Sequence, residues 1–121
     1  MDRADFDAWV GRYLRAWDSN EPADIAALFT EAAEYLTAPF RQPWQGRDAI
    51  VAGWLGHRDE SGDHGFRHEV LGIDGNRGFV RGWTDYPGQE PPSYSNLWVI
   101  RLEGDGRASE FTEWWMADTA G

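Results

Sequence analysis

The spacing of apolar residues changes once along this chain, from a helical period before residue 59 to alternation after residue 63, and that change limits the folds open to it. In residues 5–17, Phe6, Trp9, Val10, Tyr13, Leu14 and Trp17 recur at steps of three and four, which puts one apolar stripe on a helix with acids in its first turn. Ser19-Asn20-Glu21 ends it. Pro22 suits a first helical position, and residues 23–29 carry Ile25, Leu28 and Phe29 on one side of a short second helix. Residues 34–37 read as a short strand, followed by a loop with Pro39, Pro43 and Gly46. A third helix is expected over residues 48–58, its apolar face Ile50, Val51, Trp54 and Leu55. Beyond the polar break Asp59-Glu60-Ser61-Gly62-Asp63, three turn signals divide the remainder: Asp74-Gly75-Asn76, Pro87-Gly88 to Pro91-Pro92, and Gly104-Asp105-Gly106. Four strands follow, over residues 66–73, 78–86, 94–103 and 107–117. Helices first and an antiparallel meander after make an α+β fold, with helices on one face of a curved sheet.

A length of 121 residues without a linker-like stretch predicts a single domain, 1–121. The net charge of −10, with Asp and Glu scattered evenly, argues against nucleic acid or an anionic membrane surface as partner and leaves a neutral or cationic small molecule open. No apolar run approaches a membrane span, and Met1-Asp2-Arg3-Ala4-Asp5 lacks the regions of a signal peptide, so a cytoplasmic location is expected. The absence of cysteine removes disulfides, thiolate catalysis and cysteine-ligated zinc. Every basic residue is arginine, which removes a Schiff-base lysine. Chemistry is left to carboxylates, His, Tyr and Arg. No phosphate loop, nucleophile elbow or carboxylate cluster of metal-binding spacing is present, so no cofactor and no metal are expected. Eight tryptophans are distributed over nearly every predicted element, as if the elements converge on one aromatic-lined space.

Three stretches resemble the nuclear transport factor 2-like superfamily, which includes the SnoaL-like polyketide cyclases and the ketosteroid isomerases. They are Arg12-Tyr13 with Ala27-Leu28-Phe29, Gly46 with Ala49-Ile50, and Val99-Ile100-Arg101-Leu102 leading through Asp105-Gly106-Arg107 into the last strand. The late run Asn96-Leu97-Trp98, then Glu110 to Met116, is similar to a subset of this superfamily without a settled activity. The resemblance implies a cone in which a bent, mostly antiparallel sheet wraps a pocket closed by three N-terminal helices, commonly as a homodimer. It also implies roles. Tyr13 falls on the tyrosine that donates to the developing oxyanion in ketosteroid isomerases, and Trp54 on a tyrosine that supports it. Thr37 stands where the isomerase has its general-base aspartate, and Trp98 where it has a protonated aspartate. Neither replacement exchanges a proton near neutral pH, which disfavours steroid isomerisation by that mechanism.

If Trp98 points into the cone, alternation sends Tyr94, Asn96 and Ile100 with it and Leu97, Val99 and Arg101 outward. On the last strand Phe111, Glu113 and Trp115 then face inward. Leu97, Val99, Trp114 and Met116 form an outer apolar stripe that predicts a homodimer. Glu113, between Phe111 and Trp115, is the sharpest catalytic candidate, because desolvation would raise its pKa; the bland reading is an ion pair with Arg81 or Arg101. On the second strand of the meander Phe79, Arg81, Trp83 and Asp85 are expected inward, with Val80, Gly82, Thr84 and Tyr86 outward. Arg81 with Asp85 or Glu113 would be a charged cluster in a dry cavity or an ordinary buried salt bridge. His68 is a candidate proton shuttle, and His57 is expected at a helix terminus. His64 and His68 stand four apart in a loop and strand, where that spacing does not build a metal site. Trp17, Trp54, Trp83, Trp98 and Trp115 are the expected pocket lining, while Trp9 and Trp44 are expected in the core or at the rim.

Three functions compete at this level. The first is binding of a small hydrophobic, ring-containing ligand, fixed by Tyr13, Asn96 and Glu113. The second is a cofactor-free isomerase, cyclase or dehydratase with Glu113, Asp85 or His68 as base and Tyr13 as donor. The third is an interaction module whose cone its own side chains fill.

Overall fold

The computed structural model describes residues 1–59, 63–90 and 92–118; Glu60-Ser61-Gly62 of the expected polar break and Pro91 of the second turn signal lie outside it. The element order is α1 (Arg3–Ser19), α2 (Pro22–Ala26), β1 (Phe29–Leu36), β2 (Trp44–Gln45), α3 (Arg47–Gly56), β3 (Gly65–Asp74), β4 (Arg77–Asp85), β5 (Ser93–Leu102) and β6 (Ala108–Ala117). The strands form one mixed sheet in the order β2-β1-β6-β5-β4-β3, with β1 parallel to β6 and the other ladders antiparallel. Two helices precede the sheet in sequence; α3 follows β1 and β2. Register shifts between Val70 and Gly72 and between Arg101 and Leu102 each insert one residue into a ladder, and the shift between Phe29 and Glu34 inserts three into β1, which bends the sheet.

Helix α1 starts at a capping box, in which Asp2 accepts from the Asp5 amide at 2.8 Å and Asp5 accepts from the Asp2 amide at 3.3 Å. It ends at Asn20, which adopts the left-handed conformation (φ 53°) that closes a helix. Its buried face is Phe6, Trp9, Val10, Tyr13 and Ala16. These residues meet Ile25, Leu28, Phe29, Ile50, Val80, Ile100 and Phe111 in a core where each fully buried aliphatic or phenyl side chain contributes about 1.5–3 kcal/mol before entropy.

The second helix is shorter than residues 23–29. The Leu28 carbonyl accepts from the Trp9 indole at 3.0 Å and from the Ala108 amide at 2.7 Å, so the chain turns into the sheet at Phe29 instead of continuing the helix. Strand β1 therefore runs through Glu31-Ala32-Ala33 despite their helix-forming composition, and these residues span the irregularity between the paired positions Phe29 and Glu34.

Strand β4 has the opposite facing to that expected. Gly78, Val80, Gly82 and Thr84 point inward, while Arg81 and Asp85 are exposed and Trp83 half-buried on the outer face. Pairing decides this, because Val80 stands opposite Trp98 and Gly82 opposite Asn96, and residues directly across a ladder share a face. The two glycines are needed there. A Cβ on Gly78 would lie 2.1 Å from the Phe6 ring, and one on Gly82 2.4 Å from the Phe66 ring. Phe6 and Phe66 thus occupy space that side chains on β4 would otherwise fill.

Candidate functional site

The wide end of the sheet encloses a chamber of about 190 Å³. Tyr13 and Trp17 reach it from α1, Tyr35 from β1, Trp44 from β2, Trp54 from α3 and Trp98 from β5. His57, Arg58, Asp59, Thr84, Tyr86, Asn96 and Glu113 supply its polar wall. A cleft lined by Arg41, Tyr94 and Trp115 adjoins it, sharing His57, Asp59, Asn96 and Glu113 with the chamber.

Two carboxylates are held there by the same device. Glu113 Oε2 accepts from the Trp98 indole at 2.7 Å and from the Asn96 amide at 3.0 Å. Asp59 Oδ2 accepts from the Trp17 indole at 3.0 Å and from the Tyr86 hydroxyl at 3.1 Å. In each case one oxygen takes an indole N–H and a second donor, and the other oxygen accepts from none of the described residues. Asn96 is itself fixed by Thr84, which donates to its Oδ1 at 2.7 Å. Asn20 ties the second carboxylate's segment down, accepting from the Trp54 indole at 3.2 Å and donating to the Asp59 carbonyl at 2.6 Å. Burial raises the Glu113 pKa, and its two hydrogen bonds only partly offset that rise.

The same chamber holds a tyrosine pair. The hydroxyls of Tyr13 and Tyr35 are 2.7 Å apart, and their rings flank Phe111, at centroid distances of 5.3 Å and 4.4 Å with interplanar angles of 6° and 14°. One hydroxyl donates to the other, which leaves one O–H without an acceptor among the described residues. Burial holds both phenols protonated, well above the usual tyrosine range, and the Glu113 charge pushes in the same direction. Tyr86 is raised as well, by burial and then by the charges of Asp59 and Glu113, so both acids act on this one phenol.

The expected residues divide into two groups. Tyr13, Trp17, Trp54, Asn96, Trp98 and Glu113 line the chamber, while Thr37, Tyr94 and Trp115 stand at its outer clefts. Phe111 is buried behind the tyrosines. Arg81, Trp83, Asp85 and His68 lie away from it. Arg81 pairs with Glu69 on the outer face, and Trp83 lies beneath Arg67 and Arg81 at 4.2 Å and 5.1 Å. Asp85 accepts from the Ser93 hydroxyl at 2.8 Å. His68 sits on the edge strand β3, exposed beside the Phe66 ring. The proposed ion pairs of Glu113 are therefore corrected, since Arg81 bonds Glu69 and Arg101 approaches Glu103 and Glu110, each at 3.8 Å. Trp44 belongs to the pocket, stacked on Tyr35 at 5.0 Å, whereas Trp9 is core. Trp54 donates to Asn20, and the partner of Tyr13 is Tyr35.

Tyr35 and Asp59 escape the sequence reading. Alternation back from Thr37 carries a signal for Tyr35, two residues earlier on the same face. Asp59 has no local signal, because its donors come from 42 and 27 residues away.

A model of the SnoaL-like domain matches residues 10–111. The chain belongs to the SnoaL-like domain family. No curated protein matches it. Solved structures similar to this SnoaL-like chain include an NTF-2 like protein of unknown function from Burkholderia xenovorans (13% identity, 100% of this chain and 90% of that one, TM-score 0.77). A protein from Sphaerobacter thermophilus is 19% identical over 91% of this chain and 94% of its own, with a TM-score of 0.72. A putative ketosteroid isomerase from Kribbella flavida is 17% identical over 94% of this chain and 79% of its own, also with a TM-score of 0.72. At these identities the likeness is one of fold.

Proposed function

We propose that this SnoaL-like protein binds a small, single-ring ligand in its aromatic chamber. The observation that carries the reading is a pair of groups with hydrogen-bonding capacity to spare that line one aromatic chamber: an O–H of the Tyr13–Tyr35 pair and an oxygen of Glu113. Pockets that bind small molecules are mostly apolar with a few convergent polar groups. A cavity of about 150 Å³ takes up benzene, so a chamber of about 190 Å³ suits one ring with a short polar arm. An open chamber speaks against a cone filled by its own side chains. Tryptophan fluorescence titrated with one-ring phenols and amines is expected to quench or shift saturably, because four of the lining residues are tryptophan. A flat response up to the solubility limits would overturn the reading.

A second reading, cofactor-free proton transfer, is favoured by one observation, the Glu113 oxygen left open beside the tyrosines. Glu113 would be the base and the tyrosine pair the donor to developing negative charge. Under it Glu113→Gln abolishes turnover of whatever ligand the titration finds, with ligand binding retained.

We also infer a homodimer through the outer face of β5 and β6. Leu97 lies opposite Trp114, and Leu97, Trp114 and Met116 are 36%, 42% and 74% exposed.

A further inference from the structure

The chamber joins two features that select one chemical class of ligand. The first is the aromatic wall, in which Tyr13, Trp17, Trp54, Tyr86 and Trp98 surround the space on several sides. Ring faces carry negative charge density and attract a desolvated cation, so such walls recognise organic ammonium groups. The second feature is the matched pair of acids. Asp59 and Glu113 each give one oxygen to an indole N–H and a second donor, and each keeps its other oxygen clear of every described donor. The indoles do more than satisfy these acids. A tryptophan donates one hydrogen bond and carries no charge to neutralise a carboxylate, so an acid that is ionised keeps its negative charge in the chamber.

An alternative role for the acids, pairing with protein cations, does not account for them. Arg41 at the outer cleft lies over the Trp115 ring at 5.7 Å, and exposed Arg58 donates to the Leu55 carbonyl at 3.3 Å. His57 bonds the Gly53 carbonyl through Nδ1 at 3.0 Å. Two carboxylates in an aromatic space, on a chain of net charge −10, form a local and a long-range field of the same sign.

We infer that the ligand is a small organic cation, a one-ring primary amine whose ammonium is held by Asp59 and Glu113 and whose far end accepts from the Tyr13–Tyr35 pair. The inference rests on the proposed ligand-binding reading and narrows it to a charge class.

The test compares two compounds that differ in that charge: 4-(2-aminoethyl)phenol, a cation at pH 7.5, and 4-(2-hydroxyethyl)phenol, its neutral counterpart. Both carry a phenol oxygen for the tyrosine pair. Isothermal titration calorimetry on the full chain at low ionic strength is expected to give the amine at least about tenfold tighter binding. Asp59→Asn and Glu113→Gln each keep an oxygen for their indole donor while removing the charge, and each should reduce the preference to about threefold or less. Equal or tighter binding of the alcohol by the unsubstituted protein overturns the cation inference and leaves the ligand-binding reading standing. Binding of neither compound at millimolar concentration overturns both. A preference for the amine that survives both substitutions also overturns the assignment to these carboxylates. Should either variant fail to fold, the comparison of the two compounds on the unsubstituted chain decides the matter.

Discussion

At the level of single residues, Glu113 sets burial against its own hydrogen bonds. Its carboxylate is desolvated, which favours the protonated form, while the Trp98 and Asn96 donors favour the ionised one and only partly compensate. Because its folded pKa lies above the ordinary value of 4.5, the folded chain holds a proton that the unfolded chain releases as pH rises between those two values. The stability this group contributes is thus complete below about pH 4.5 and is lost as pH rises through the folded pKa. Glutamine keeps an oxygen for both donors and has no charge to desolvate. Glu113→Gln should therefore raise the melting temperature at pH 8 by a few degrees, on the order of 1 kcal/mol, and by less at pH 4. Calorimetric scans of both proteins across that range would show a gap that widens with pH; a constant gap would mean that the carboxylate is not desolvated. Tyr35 makes a related point about legibility. Its role lies in a contact with Tyr13, 22 residues away, and only its alternation with Thr37 was visible locally.

Among the elements, β4 shows what alternation can and cannot decide. Both faces of Phe79-Val80-Arg81-Gly82-Trp83-Thr84 alternate, and the set expected inward is Phe79, Arg81, Trp83 and Asp85. The pairing opposite β5 selected the other face, and Gly78 and Gly82 carry the reason: rings from α1 and β3 fill the space that their missing side chains leave. Gly82→Ala would press Phe66 against Trp98, on which it is stacked at 5.1 Å. A loss of about 1–3 kcal/mol is expected in urea denaturation, together with a change in the near-ultraviolet signal of the buried indoles. A loss under about 0.5 kcal/mol would mean that Phe66 moves freely and does not brace the chamber wall. The start of β1 carries the opposite lesson, since Leu28 and Phe29 suit a helix stripe and are drawn into the sheet by Trp9 and Ala108.

At the scale of the whole molecule, the curved mixed sheet and three helices bring aromatic side chains from five elements to one chamber while leaving Leu97, Trp114 and Met116 exposed outside. On the proposed homodimer, a second copy of the chain would cover that outer face. Light scattering after size exclusion is expected to give twice the 13.8 kDa chain mass at micromolar concentration. Trp114→Ser with Met116→Ser should shift it to the monomer, and a monomer from the unsubstituted chain would sink the idea. None of the described helices is long and apolar enough to cross a membrane. By itself the sequence determined the two periods, the turn signals and hence the α+β class, because these depend on neighbours within a few residues. With Trp98 taken as pointing into the cone, alternation and the family resemblance also put Asn96 and Glu113 on the inward side, and the structure pairs Trp98 with Glu113 across β5 and β6. Only the tertiary structure decided the facing of β4, the Tyr13–Tyr35 pair and the place of Asp59 as the second indole-held acid. Each of these is set by partners distant in sequence, and ring packing and hydrogen bonding at such separations leave no local period to read.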